Sequence, residues 1–106
     1  MKRIMTRGKN VKIAICDDEL KDRMNIKQFV YTHQIKHDII EFNSAIPLLE
    51  SISKDEHFDV LFLDIEMPDS DGWAVAEQLK KANASIYIAM VTVMDNYIFD
   101  CFDRVN

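Results

Sequence analysis

Short runs of apolar residues recur four times along the chain of 106 residues, separated by longer segments with apolar residues at helical spacing. The runs are brief and rich in β-branched residues, which is typical of strands buried inside a sheet. We therefore predict strands over 11–16, 38–42, 60–65 and 86–91.

The segments that follow the strands place apolar residues at i, i+3 and i+4, which is the spacing of one helical face. Ser44 is a suitable N-cap for the second predicted helix, and Pro47 is tolerated in a first turn. Asp95 or Asn96 caps the last helix, and the third helix ends near Asn83. The predicted apolar faces comprise Ile26, Phe29, Val30 and His33; Leu48, Leu49 and Ile52; Val75, Ala76 and Leu79; and Ile98, Cys101, Phe102 and Val105.

Strands and helices thus alternate strictly along the chain. Such alternation predicts an α/β fold, in which a parallel sheet with right-handed crossovers carries helices on both faces. A chain of this length is sufficient for one domain with a real core.

The stretch 59–72, DVLFLDIEMPDSDG, encloses one acid, Asp64, among apolar residues. Burying an unpaired charge is costly, so Asp64 is expected at the exposed carboxyl end of its strand. Pro68 cannot donate to a strand ladder and ends the strand, and Asp71-Gly72 turns the chain into the next helix. Ligands of open α/β sheets bind at this edge.

Composition narrows the class of protein. The net charge is −5, which argues against a nucleic-acid-binding surface, and 48% hydrophobic with 29% charged residues is ordinary for a globular domain. Cys16 and Cys101 lie in apolar patterns and suit reduced core thiols. No apolar stretch approaches the length of a membrane span. Residues 1–10 are basic without apolar periodicity and suit a frayed leader, so we expect a soluble, cytoplasmic domain.

Three of the predicted strands end in residues that can act together. Asp17 and Asp18 follow the first strand, Asp64 ends the third and Thr92 follows the fourth. In a parallel sheet these ends share one rim, where a divalent cation would relieve repulsion between carboxylates. Oxygen ligands favour Mg²⁺. Asp64 could then attack phosphorus as a nucleophile, while the Thr92 hydroxyl donates to a phosphoryl oxygen.

Each of these residues also has a simpler interpretation. Asp17-Asp18-Glu19 before a helix could be an N-cap with favourable charge at the helix dipole, and Asp64 could cap a turn. The placement of all these residues at one rim favours the chemical interpretation.

Three motifs carry a resemblance to a known family: ICDDE at 15–19, FLDIEMPDSDG at 62–72 and VT at 91–92. The chain resembles the receiver domains of bacterial two-component response regulators, which have a CheY-like, flavodoxin-like fold. The sequences IEMP and DNYIFDCFDRVN most resemble the subgroup whose receivers are fused to LytTR-type DNA-binding domains. The resemblance covers 11–106.

The resemblance implies a role for each matched residue. Asp64 would accept a phosphoryl group from a sensor histidine kinase, and Asp18 and Asp64 would bind Mg²⁺ directly. Asp17 would bind the ion through water, and the backbone carbonyl of Glu66 would complete the protein ligands. Thr92 would follow the phosphoryl group and couple it to movement. Such a domain is not an enzyme acting on other substrates, since it catalyses only its own phosphorylation and dephosphorylation.

The chain also departs from the family pattern. A receiver has five strands in the order 2-1-3-4-5, and the fifth carries a lysine that contacts the phosphoryl group. This chain stops at Asn106, so the resemblance implies the order 2-1-3-4 without the fifth strand and helix. The run at 86–91 would then be an open edge, which predicts a homodimer or a strand-exchanged oligomer. Part of the sheet face beside the first helix would be uncovered.

Two kinds of function therefore remain open. One is a phosphorylated receiver, and the other is an interaction or dimerisation module that keeps the fold without phosphotransfer. A hydrolase with an aspartyl intermediate is disfavoured, because haloacid-dehalogenase-type enzymes have a second aspartate where this chain has Glu66. Gly8 and Gly72 are the only glycines, so no phosphate-cradling loop can form.

Overall fold

The computed structural model describes residues 10–33, 37–67, 70–82, 85–94 and 97–102. The helices there are too short or too polar to cross a membrane. The elements are β1 (Val11–Cys16), α1 (Leu20–Tyr31), β2 (His37–Phe42), α2 (Ala45–Ser53), β3 (Val60–Asp64), β4 (Glu66–Met67), β5 (Ser70–Asp71), α3 (Gly72–Ala82), β6 (Tyr87–Met94) and β7 (Tyr97–Phe102).

The central sheet has the strand order β2-β1-β3-β6-β7, and β2, β1, β3 and β6 run parallel. Ala14 in β1 pairs with Ile40 on one side and Leu61 on the other. The inner strands β1, β3 and β6 have neighbours on both sides and lie between the helices of the two faces, which explains their nearly continuous apolar sequences. The predicted α/β fold and the order 2-1-3-4 of the parallel strands are confirmed.

The last described segment contradicts the sequence prediction. The helix expected on Ile98, Cys101, Phe102 and Val105 is instead a strand, β7, which pairs antiparallel with β6. The sequence YIFDCF is rich in β-branched and aromatic residues, and pairing with β6 satisfies backbone groups that a free edge would leave open. The expected caps, Asp95 and Asn96, and Val105 lie outside the described residues.

The same pairing overturns the expectation of an open edge at β6. Met94 pairs with Tyr97 at the start of the hairpin, and Met90 pairs with Phe102 at its far end. An oligomer formed through the edge of the fourth parallel strand therefore loses its structural basis. Residues 1–9 of the predicted leader also lie outside the described part of the chain.

The buried residues form one cluster on each face of the sheet. Leu61 and Leu63 point into the larger cluster with α2 and α3, and Phe62 between them points into the smaller cluster with α1. All three are at most 7% exposed, as expected for a strand buried on both faces. Leu48 and Leu79 anchor α2 and α3 on the larger cluster.

The face that carries α1 is less completely covered. Ile26 and Val30 are buried there, whereas Phe29 stays 39% exposed and His33 is exposed. A hollow of about 170 Å³ lies beside α1 and the sheet. Its walls are Val11, Ile13, Phe29, Val30, His33, Val60 and Phe62. The hollow agrees with the expectation that this face is partly uncovered.

Candidate functional site

The carboxyl ends of β1 and β3 bring three acids together. Asp17 directly follows β1, and Asp64 is the last residue of β3, where it pairs with Val91 of β6. Oxygen atoms of Asp17, Asp18 and Asp64 all lie within 4.8 Å of one another. The rim expected from the sequence therefore exists as a compact cluster of carboxylates.

Three hydrogen bonds hold Asp17 in place. Its backbone N–H donates to the carbonyl of Phe42 at the end of β2 (3.0 Å), and its side-chain Oδ1 accepts the N–H of Glu19 (2.9 Å). Its carbonyl accepts a hydrogen bond from Nη1 of Arg23 in α1 (2.7 Å). Asp17 is only 1% exposed, so its carboxylate is fixed and largely removed from water.

The simpler interpretations of these acids fare differently. Glu19 occupies the N-cap of α1 without a capping bond from its own side chain, and Asp17 accepts the N–H of Glu19 in the turn before the helix, so neither Asp17 nor Asp18 is the N-cap residue. Asp64 does accept the N–H of Glu66 at its Oδ1, but the distance is 3.3 Å, which is long for a strong turn bond. The capping interpretation therefore accounts for little of the cluster.

Burial and mutual repulsion shift the acids towards their protonated forms. Burial is the largest cause that raises the pKa of Asp17 from 3.8 to about 6, opposed chiefly by the hydrogen bond from Glu19. Burial, then repulsion from Asp17, raises the pKa of Asp64 from 3.8 to about 7. Strong perturbation of two neighbouring acids at a sheet rim is typical of a functional site.

The cluster fits a magnesium ion. The three side chains supply only oxygen ligands, which Mg²⁺ prefers. The acids offer oxygen atoms within 4.8 Å of one another, so a cation bound among them would face all three carboxylates. A cation there would also offset the repulsion that raises both pKa values.

The other predicted site residues lie at the same rim. Glu66 is exposed two residues after Asp64, and its backbone N–H faces the Asp64 carboxylate. Thr92 lies in β6 one residue beyond Val91, whose carbonyl accepts the N–H of Ile65 (3.2 Å). The backbone of Thr92 is therefore close to the end of β3. The side chain of Thr92 does not belong to the described part of the structure.

A glycine allows α3 to begin close to Asp64. A Cβ atom on Gly72 would lie 2.4 Å from the carbonyl oxygen of Asp64 and 2.9 Å from that of Ile65. The N–H of Gly72 donates to the carbonyl of Ile65 (3.1 Å). The Asp-Gly turn predicted from the sequence is thus a close backbone contact, and only glycine fits it without displacement.

Sequence reasoning missed two α1 residues near the acids. Asp22 adds negative charge that raises the pKa of Asp17 and of Asp64, and Arg23 binds the Asp17 carbonyl. Arg23 precedes Ile26 and Val30 by three and seven residues, so it shares their sheet-facing side of the helix. This spacing could have identified it.

The fold and the acid cluster have clear counterparts among known proteins. Residues 13–103 match the response regulator receiver domain family. The chain therefore belongs to the response regulator receiver domain family.

Curated proteins similar to this chain include LytT- and LytR-type sensory transduction proteins. The chain is 30% identical to LytT of Enterococcus faecalis over 90 residues, 85% of this chain and 37% of that protein. It is also 30% identical to LytR of Streptococcus agalactiae over 95 residues, 88% of this chain and 38% of that protein. The chain thus spans little more than a third of the length of these relatives.

A solved structure supports the same class. The response regulator TrrA of Thermotoga maritima, crystallised in complex with Mg²⁺ and beryllium fluoride, is 26% identical. The likeness has a TM-score of 0.67 and covers 81% of this chain and 72% of that one.

Proposed function

We propose that Asp64 is the phosphoryl acceptor of this receiver and that Mg²⁺ bound by the acid cluster supports the transfer. The observation that carries the proposal is the cluster itself, with oxygens of Asp17, Asp18 and Asp64 within 4.8 Å of one another. The proposed receiver comprises residues 11–106, preceded by a leader at 1–10.

The proposed ligand set is the one that the family resemblance implies. Asp18 and Asp64 would bind Mg²⁺ directly, Asp17 would bind through water, and the backbone carbonyl of Glu66 would complete the protein ligands. The bound ion supplies positive charge that offsets the negative charge developing on the phosphoryl oxygens. Asp17, buried and held by three hydrogen bonds, keeps its carboxylate beside Asp64.

The proposed donor is the phosphohistidine of a sensor histidine kinase, which places this domain in the cytoplasm. A carboxylate oxygen of Asp64 attacks the phosphorus and forms an O–P bond. The N–P bond of the donor breaks, and the imidazole nitrogen leaves with the electron pair of that bond. Thr92 donates its hydroxyl proton in a hydrogen bond to a phosphoryl oxygen. The domain catalyses this transfer and the hydrolysis of its own phosphoaspartate. It catalyses no reaction of another substrate.

One observation favours the second candidate, an interaction module without phosphotransfer. The pKa of Asp64 is raised to about 7, so without a cation much of it is protonated at neutral pH and is a poor nucleophile. Lys80, a cation near the end of α3, donates to the carbonyl of Ile86 (2.6 Å) before β6. Lys80 therefore lies at the opposite end of the sheet from Asp64. It cannot take the role of the family lysine that contacts the phosphoryl group.

Beryllium fluoride with Mg²⁺ separates the two candidates, because it mimics an acyl phosphate on the aspartate. We expect a saturable change in Trp73 fluorescence and in backbone amide NMR signals around Asp64, absent from Asp64→Asn. Asp59→Asn is the matched control, since Asp59 precedes the same strand at its other end. It should respond like the unaltered protein.

A second measurement follows the covalent product. Incubation with a small phosphoramidate donor and Mg²⁺ should add one phosphoryl group, found on Asp64 by mass spectrometry after borohydride trapping. A folded protein that shows neither labelling nor a beryllium fluoride response would contradict phosphotransfer and support the interaction module.

A further inference from the structure

Arg23 connects the acid cluster to β2. Its Nη1 donates to the Asp17 carbonyl (2.7 Å), and its Nε donates to Oε1 of Glu41 (2.9 Å). The side chain of Arg23 is only 15% exposed. One guanidinium thus joins the loop after β1 to a carboxylate of the neighbouring strand.

Glu41 is held in turn by a second cation. Nζ of Lys27, one turn further along α1, donates to the other carboxylate oxygen of Glu41 (2.9 Å). Hydrogen bonds from Lys27, then Arg23, lower the pKa of Glu41, so it stays charged. Glu41 therefore anchors the guanidinium at a defined position, and the planar fork of Arg23 reaches both acceptors at once.

The contact with Asp17 lies at a sensitive point. Asp17 and Asp18 are the two cluster acids on the loop between β1 and α1, and both must face Asp64 for the cluster to form. The Asp17 carbonyl is part of the peptide that joins these two residues. Fixing that carbonyl restrains the direction of both side chains, as outer hydrogen-bond partners do for metal ligands generally.

We propose that Arg23, anchored by Glu41, is a positioning residue that orients Asp17 and Asp18 for Mg²⁺ binding. The inference rests on the proposed function and names a determinant of metal affinity outside the ligands. A positioning role and a purely electrostatic role of Arg23 predict opposite changes in Mg²⁺ affinity when the side chain is removed. The positive charge of Arg23 opposes a nearby cation, so a purely electrostatic role means that removing it tightens Mg²⁺ binding. A positioning role means that removing it weakens binding.

Calorimetric titration of the full chain with Mg²⁺ tests the inference. Arg23→Met keeps the length of the side chain, and a surface hollow of about 280 Å³ beside Arg23 and Glu41 leaves room for it. We expect Kd to rise about tenfold. Arg23→Lys keeps the charge but lacks the planar fork whose separate nitrogens reach the two acceptors, so it should weaken binding by about threefold.

Glu41→Gln and Lys27→Met make the matched pair. Glu41→Gln weakens the anchor of Arg23 and should raise Kd, with no further loss when combined with Arg23→Met. Lys27→Met removes the other ion pair of Glu41 and leaves both contacts of Arg23, so Kd should stay within about twofold. In metal-free protein, Arg23→Met should also speed hydrogen exchange at the Glu19 amide, which donates to Asp17.

The possible failures are distinguishable. If the unaltered chain binds no Mg²⁺, the proposed function and this inference both fall. If the unaltered chain binds Mg²⁺ and folded Arg23→Met binds it equally well or more tightly, only the inference is overturned.

Discussion

The acids at the two ends of the sheet have opposite surroundings. At the amino end, Oδ2 of Asp59 accepts the backbone N–H of Lys12 (2.8 Å), and Glu56 forms an ion pair with the Lys12 side chain. Asn10 donates through Nδ2 to Oδ1 of Asp38 (2.9 Å). Each acid there has a partner that belongs to the fold.

At the carboxyl end, Glu41 is paired with Arg23 and Lys27, whereas the three clustered acids mainly face one another. Within the described ranges, no lysine or arginine forms an ion pair with Asp17, Asp18 or Asp64. Burial and repulsion raise the pKa of Asp17 and Asp64. The partnered acids stabilise the fold. The repulsion among the clustered acids is not neutralised by the protein and can be offset by a bound cation, as is common at functional sites.

Altering the backbone beneath the clustered acids should have the largest effect on stability. Gly72→Ala places a Cβ atom 2.4 Å from the Asp64 carbonyl, so the start of α3 must move. We expect a loss of about 2 to 4 kcal/mol in the free energy of unfolding, measured by urea denaturation. Ala74→Gly, exposed in the same helix, is the control and should cost at most about 1 kcal/mol. Equal losses would mean that the close contact is unimportant.

The two raised pKa values predict an unusual pH dependence. An acid whose pKa is higher in the folded than in the unfolded state binds its proton more tightly when folded. Its contribution to stability is complete below the unfolded pKa, near 3.8. The contribution is lost as the pH rises through the folded pKa. For Asp17 and Asp64 the loss extends through about pH 6 and about pH 7. Asp64 is half-buried and therefore screened by water, so we expect on the order of 1 to 2 kcal/mol between pH 5 and 8.

Urea denaturation without Mg²⁺ at these two pH values provides the measurement. Asp64→Asn should reduce the loss, because one of the two titrating groups is gone. An identical pH dependence in the unaltered protein and in Asp64→Asn would show that Asp64 titrates normally.

Neutralising one acid at each end should give small effects of opposite sign. Without metal, Asp18→Asn relieves repulsion at the carboxyl end and should stabilise the protein by on the order of 0.5 kcal/mol. Glu56→Gln breaks a partly buried ion pair at the amino end and should destabilise the protein by about 0.5 kcal/mol. With saturating Mg²⁺, the unaltered protein should become more stable than Asp18→Asn. If both substitutions changed the free energy of unfolding in the same direction, the proposed difference between the two ends would be wrong.

Sequence reasoning succeeded where local pattern and topology agree. The run around Leu61 to Leu63 is apolar on both faces, which defines a buried parallel strand, and the topology then places Asp17 and Asp64 at one rim. The partnership of Arg23 with Asp17 was missed because it depends on where α1 lies against β2. The short ladder of β4 and β5 was also missed, because two-residue strands carry no periodicity.

The segment 97–102 shows why periodicity can mislead. Its apolar residues fit a helical spacing, yet its β-branched and aromatic content suits a strand equally well. The free edge of β6 decides between them, and that edge is a property of the whole sheet. A local pattern could not have settled this choice.

The hairpin of β6 and β7 also bears on the order of assembly. The parallel strands meet only after a crossover through a helix, whereas β7 begins three residues after the end of β6. Closing so short a loop costs little entropy, and hairpins form within about 1 to 10 μs. Once β6 has docked on β3, its outer side is therefore paired almost at once, which shields the nascent sheet from other chains during synthesis.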